Sequence, residues 1–355
     1  MSRKPSKSTR GERREPASAL RRRAARGQER QGPIDLSKLR LRSVHDRQHL
    51  AQVEALAGVP GPGVSFADWF ASLPKSLGAD RLRAAVEAII TARKAGKPVV
   101  LAMGGHVVKV GCSPVVIDLM RRGIVTAMAC HGATAIHDVE LAMIGATSED
   151  VGDTIRDGRF GMVRETPMFF AEAARRAVHN DAGYGRAIGE LIRQRKLPYA
   201  DRSMLATAAE LGLPATVHVA IGADTVHMPA FVDGAHLGQA SLTDFRLLCD
   251  TLYRMGADQP SGTAGVWCNI GSAVVLPEVF LKAISVARNL GANLNTLTTV
   301  NLDMIRHYRP TQNVITRPVC KGHGHDIAGH HEILLPLLRQ ALIERCPQGS
   351  ALSPR

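Results

Sequence analysis

Between Lys97 and Leu302 the chain repeats one pattern five times: a short, mostly apolar run, a glycine-bearing or polar turn, then a segment with apolar residues at helical spacing. The runs are 97–103 (KPVVLAM), 124–130 (IVTAMAC), 215–222 (ATVHVAIG), 264–275 (AGVWCNIGSAVV) and 293–302 (NLNTLTTVNL). Near-continuous apolar runs of this kind suit strands covered on both faces. The intervening segments read as helices at 81–96, 113–122, 135–144, 167–195, 204–213, 242–255 and 277–290, followed by a last helix at 332–344. Strands separated by helices run parallel, because a parallel pair needs a long crossover. The expected fold is α/β: a doubly wound, mostly parallel sheet with helices on both faces, Rossmann-like, forming one domain over residues 79–346.

The flanks differ in character. Residues 32–78 contain the turn-rich stretch GVPGPG at 58–63 and an amphipathic segment at Phe66–Leu73, which predicts an irregular extension with short helices. Residues 1–31 hold eleven Lys/Arg and three Glu, so this segment carries +8 of the chain's net +13. With almost no apolar side chains it cannot offset its ordering entropy, and it reads as a disordered basic tail able to contact an acidic partner or nucleic acid. Residues 347–355 read as a short disordered tail as well. In the remainder no basic stretch is interleaved with aromatics, which make up only 4% of the chain, and this argues against base stacking as a binding mode. The chain lacks an apolar run long enough to span a membrane and an apolar leader, so a soluble, cytoplasmic protein is expected. Its six cysteines have no CxxC spacing and read as reduced thiols.

In open α/β sheets ligands bind beyond the carboxyl ends of the strands. Three strand-end turns have residues suited to a nucleotide or phosphate. They are 103–109, where Gly104 and Gly105 precede Lys109; 130–134, where His131, Gly132 and Ala133 run into a helix bearing His137 and Asp138; and 269–273, around Gly271. None matches GxGxxG or a Walker A loop.

These turns resemble deoxyhypusine synthase. The stretch from Gly104 to Asp138 can be laid over that family's pattern without a gap. Its SNLIS turn falls on Gly105, His106, Val107, Val108 and Lys109, its TAG turn on His131, Gly132 and Ala133, and the last acid of its EED on Asp138. The segment 228–238 resembles SPALTDGSLG and places an NAD-contacting acid on Asp233, while 271–275 resembles the GGGVV turn. The likeness extends from about Lys97 to Leu337. It implies an NAD-dependent transferase assembled as a homotetramer with sites at subunit interfaces.

The departures fall on the chemistry. One family acid is His137 here, and the acid closing SLGD is Gln239, a substrate-side position. The imine-forming lysine falls near Thr316 and Arg317, with Lys321 the nearest amine, and an arginine cannot form a Schiff base. Arg306, His307 and Arg309 have the chemistry to clamp a substrate more anionic than a polyamine. The segment 321–332 carries Lys321, His323, His325, Asp326, His330, His331 and Glu332, and reads as a polar turn ahead of the last helix. Lys321, His323 and His325, together with His137, are the expected acid–base groups. A metal is not assigned to this segment, because ligands from a second element are normally required.

The expected activity is an NAD-dependent dehydrogenation or group transfer on a small amine or amino-acid-like substrate other than spermidine. Making an imine needs an electron acceptor that no side chain supplies. The alternatives are a true deoxyhypusine synthase, which moves an aminobutyl group from spermidine to a protein lysine; a non-catalytic nucleotide-binding or RNA-associated protein; and a phosphosugar isomerase.

Overall fold

Val99–Met103 (β1) lies at the centre of a parallel sheet because both of its faces are covered. Val99, Leu101 and Met103 enter the core on one side and Val100 and Ala102 the core on the other. The computed structural model describes residues 32–256, 258 and 262–346. The expected tails at 1–31 and 347–355 lie outside the described residues. The chain divides into two units, one ending at Gln52 and one running from Val53. In the first, the described residues 32–52 form two short 3-10 turns, at Leu36–Lys38 and Val44–Asp46, capped by Asp35 and Ser43.

The second unit opens with helices Phe66–Ala71 (α1) and Leu77–Lys94 (α2) and then alternates. After β1 come His106–Lys109 (α3), Ser113–Arg121 (α4), Ala127–His131 (β2), Gly132–Ile144 (α5) and Val151–Thr154 (α6). Next are Glu165–His179 (α7), Tyr184–Gln194 (α8), Met204–Glu210 (α9), Ala215–His218 (β3) and Gly234–Arg254 (α10). The chain continues through Val266–Ile270 (β4), Val275–Asn289 (α11), Thr298–Asp303 (β5), Gly324–Ala328 (β6) and His331–Arg345 (α12). The strand order is β3-β2-β1-β4-β5-β6, and every pairing is parallel. This is the order of the dinucleotide-binding doubly wound folds, with its reversal point between β1 and β4.

Two apolar cores follow from strand alternation. The larger joins Leu101, Met128, Cys268 and Val300 to α2, α4, α5, α7, α8, α9 and α12. The smaller packs Ala102, Ala129 and Trp267 under α10 and α11, with the Trp267 ring stacked on Phe280 at 4.4 Å between centroids. A buried Leu or Phe here stabilises the fold by about 1.5–3 kcal/mol, so the twelve largest fully buried side chains dominate the core.

Several boundaries differ from the sequence expectation for identifiable reasons. Ile124 and Val125 donate their amides to Leu119 and close α4, so β2 starts only at Ala127. Gly271 adopts a left-handed φ of 61° and stops β4, after which Val275 begins α11. The helical stretch 167–195 is two helices separated at Asn180–Gly183, where Asp181 has φ 48°. The histidine-rich segment is no turn: Gly324–Ala328 is strand β6, paired Val300 to His325 and Asn301 to Asp326. Both sheet edges are plugged by side chains, as an edge strand requires. On β3, Asp244 Oδ2 accepts the Val217 amide at 2.6 Å, and on β6 Arg81 donates to the Asp326 carbonyl at 2.7 Å.

Candidate active site

The strand-end glycines serve the packing of the chain. A Cβ on Gly104 would lie 1.9 Å from the Gly271 carbonyl oxygen, and one on Gly132 would lie 1.9 Å from the Asp224 carboxylate. A Cβ on Gly271 would meet the buried His331 ring at 2.9 Å. Gly104 and Gly271, expected among the cofactor-binding residues, are packed against protein: the turns after β1 and β4 press on each other, and the His331 ring lies against Gly271. The His106 ring lies 5.4 Å from that of His331, edge to face.

The open space lies beside this crevice, over the carboxyl ends of β1, β2 and β3. It is a cavity of about 690 Å³ bounded by Lys109 after β1, Ala133 and the exposed face of α5 after β2, residues 223–225 after β3, and the segment 146–166. That volume lies within the range typical of small-molecule sites. His137 and Glu140, one helical turn apart on α5, both face it. The chain leaves α5 at Gly145, whose φ of 70° turns it back so that Thr147 returns to the same face. There the Thr147 hydroxyl donates to Glu140 Oε2 at 2.5 Å and lies 2.8 Å from His137 Nδ1, while Thr166 donates to Glu140 Oε1 at 3.2 Å.

The cavity is acidic. Glu140, Glu149, Glu165 and Asp224 line it against one cation, Lys109. Asp224 is only 7% exposed, and its Oδ2 has no hydrogen-bond partner among the described residues. Burial pushes the Asp224 carboxyl up against the opposing pulls of His227 and the Ala220 amide. Glu149 accepts the Gly161 amide at 2.9 Å, which ties the covering segment to the cavity wall. Burial, then the charges of Lys109 and His131, lower the His137 pKa to about 4, so the ring is neutral at physiological pH.

Of the residues expected from sequence, Lys109, Ala133 and His137 line this cavity; Gly105 and His131 support it. A Cβ on Gly105 would lie 3.1 Å from His137 Cδ2, and His131 Nδ1 accepts the Ala133 amide at the start of α5. Val107 is buried in the core. Asp138 faces inward, with Ser203 Oγ at 2.6 Å, the Met204 amide at 2.8 Å and the Leu205 amide at 3.2 Å. It joins α5 to the start of α9 and has no room for a cofactor. Asp233 is the N-cap of α10, accepting the Ala235 and His236 amides, and Gln239 is exposed on that helix.

The remaining groups do not join His137 within one chain. Lys321 and His323 precede β6 and lie at the amino end of the sheet; His325 follows on the same edge strand, and burial lowers its pKa. The catalytic grouping of these three with His137 is therefore not assembled. Arg306 and Arg309 follow β5 and are already paired, Arg306 with Asp326 at 2.9 Å and Arg309 with Glu278 at 3.2 Å, and His307 stands between them. An anion clamp formed by these residues is corrected accordingly. Glu140, Thr147, Glu149, Thr166 and Asp224 were not expected from sequence. The His137–Glu140 spacing was the one available signal. No helix among the described residues is long and apolar enough to cross a membrane, and among them no cluster of three or more His, Cys, Asp or Glu could hold a metal ion.

No family model matches the sequence, and no curated protein does. Solved structures are similar in fold. The ternary complex of AgrE with ornithine and NAD+ superposes with a TM-score of 0.48 at 15% identity, covering 74% of this chain and 32% of that one. A LOR/SDH candidate from Methanococcus maripaludis gives 0.45 at 18% identity, covering 76% and 70%. A candidate deoxyhypusine synthase from Entamoeba histolytica gives 0.46 at 10% identity, covering 81% and 96%. This chain spans about a third of the length of the AgrE chain. These superpositions are loose, and none extends to a function.

Proposed function

We propose that the protein is an enzyme that binds a small cationic amine in the acidic cavity and exchanges a proton with it through His137. The observation that carries this reading is the charge of the lining: four carboxyl groups, the largely buried Asp224 among them, face one lysine. Gathering carboxyl groups in one partly buried cavity is costly, and an ammonium group, with a positive charge and three donors, is the kind of ligand that offsets that cost. A phosphate would face repulsion from the same four groups, which disfavours a phosphosugar isomerase.

His137 supplies the chemistry. An amine arrives as its ammonium form and becomes nucleophilic or oxidisable only after losing a proton. A neutral imidazole in the cavity wall has a free lone pair that can take that proton transiently, its lowered pKa making it a weak base that readily gives the proton up again, and the carboxyl groups hold the rest of the substrate near it. The NAD expected from the resemblance meets two obstacles in this chain. The glycine turns of β1 and β4 are filled by protein, and the cavity beside them is acidic. The described residues do not fit a pyrophosphate there.

The test is thermal unfolding of the full chain with 1,4-diaminobutane, inorganic phosphate or NAD. A diamine at 100 Kd should stabilise the protein by about 2.7 kcal/mol, and the shift should be lost in Asp224→Asn combined with Glu149→Gln. Stabilisation by NAD or phosphate without any response to the diamine would overturn the proposal.

A further inference from the structure

We propose that Thr147 is a positioning residue that locks His137 as its Nδ1–H tautomer and leaves the Nε2 lone pair free toward the cavity. The role of His137 as proton acceptor rests on the functional reading above, whereas the lock rests on hydrogen-bond geometry alone. A hydroxyl has one hydrogen to give. Thr147 gives it to Glu140 Oε2 at 2.5 Å, because a carboxylate only accepts. Toward His137 Nδ1, at 2.8 Å, the same oxygen can then only accept, so Nδ1 must carry the proton. Nε2 is left as the basic nitrogen, and it has no hydrogen-bond partner among the described side chains.

Three features hold the relay in place. Thr166 donates to the second oxygen of Glu140, which fixes the carboxylate plane. Gly145, in left-handed conformation, sits against the Tyr199 ring and returns the chain over α5. Ser148, directly after Thr147, also has a left-handed φ of 72°, a conformation that is costly for a residue with a Cβ and tends to persist where its surroundings impose it. The three members come from two turns of one helix and the loop that follows, so one local segment builds the whole device. It resembles the orienting carboxylate of a hydrolase triad in its logic, with a hydroxyl interposed.

The experiment is long-range proton–nitrogen NMR on the full chain labelled at histidine nitrogens, with His137 assigned by the signal lost in His137→Gln. The expected spectrum between pH 6 and 8 has a protonated, pyrrole-type Nδ1 and a pyridine-type Nε2. In Thr147→Val, which keeps the side-chain shape and removes the acceptor, the single tautomer should become a mixture or reverse; Thr147→Ser should keep the wild-type spectrum. A wild-type spectrum with the proton on Nε2, or a Thr147→Val spectrum unchanged from wild type, would overturn the lock. Titrating the same samples with 1,4-diaminobutane separates the two ideas. An Nδ1–H spectrum without any amine response supports the lock and removes the amine; an Nε2–H spectrum with amine binding removes the lock and keeps the amine.

Discussion

Asp244 should make folding stability depend on pH in a direction opposite to that of the ordinary salt-bridged carboxylate. Its side chain is fully buried on α10, where Oδ2 accepts the Val217 amide at 2.6 Å and the Gly185 amide at 2.9 Å. Burial outweighs these bonds and raises its pKa from 3.8 to about 7. Between those values the folded protein holds a proton that the unfolded chain has released, so this group's contribution is present at low pH and declines as pH rises toward 7. A shift of that size corresponds to roughly 4 kcal/mol across the window. His137 and His218, both lowered to about 4, act in the opposite sense and gain stability over the same range. The wild-type curve alone would therefore hide the effect. Asp244→Asn mimics the protonated acid and can still accept through its amide oxygen. Urea unfolding of both proteins from pH 4 to 7.5 should show the variant gaining on wild type by a few kcal/mol as pH rises. A difference that stays flat, or that falls with pH, would refute the reasoning.

Other consequences can be measured directly. Asp138→Ala leaves the Ser203 hydroxyl and two amides without their acceptor and should cost about 3–5 kcal/mol in urea unfolding, while diamine binding per folded molecule is unchanged. Gly104→Ala should destabilise by about 1–3 kcal/mol or more in thermal melts, since its Cβ would strike backbone that cannot rotate away. If His137 is the base, the acid limb of kcat/KM for an amine substrate should lie near pH 4, well below the ordinary imidazole value of 6.5. An acid limb at the ordinary value would assign the proton transfer to another group.

The fold was legible where the sequence is apolar. Strands β1, β4 and β5 announce themselves because both faces are buried, and the parallel order follows from the helices between them. Strand β6 was hidden because an edge strand takes its order from backbone pairing to β5, which residues 324–328 (GHDIA) do not advertise. At the site, His137 and Asp138 show how far a linear match can mislead. Adjacent residues on a helix point about 100° apart, so the first faces the cavity and the second faces the core. The glycines of 104, 132 and 271 were visible, but their purpose depended on which side chains from distant strands would press against them. Thr147 and Asp224 reach the cavity through loop returns, which leave no periodic trace in the sequence.

The most direct test of the acidic cavity is a crystal structure of the full chain with 1,4-diaminobutane. One ammonium nitrogen is expected within hydrogen-bond reach, about 2.8 Å, of a carboxyl oxygen lining the cavity, with the chain of the diamine passing His137 toward Glu149. Diamine bound elsewhere with the cavity empty, or a phosphate group held among the four carboxyl groups, would contradict this expectation.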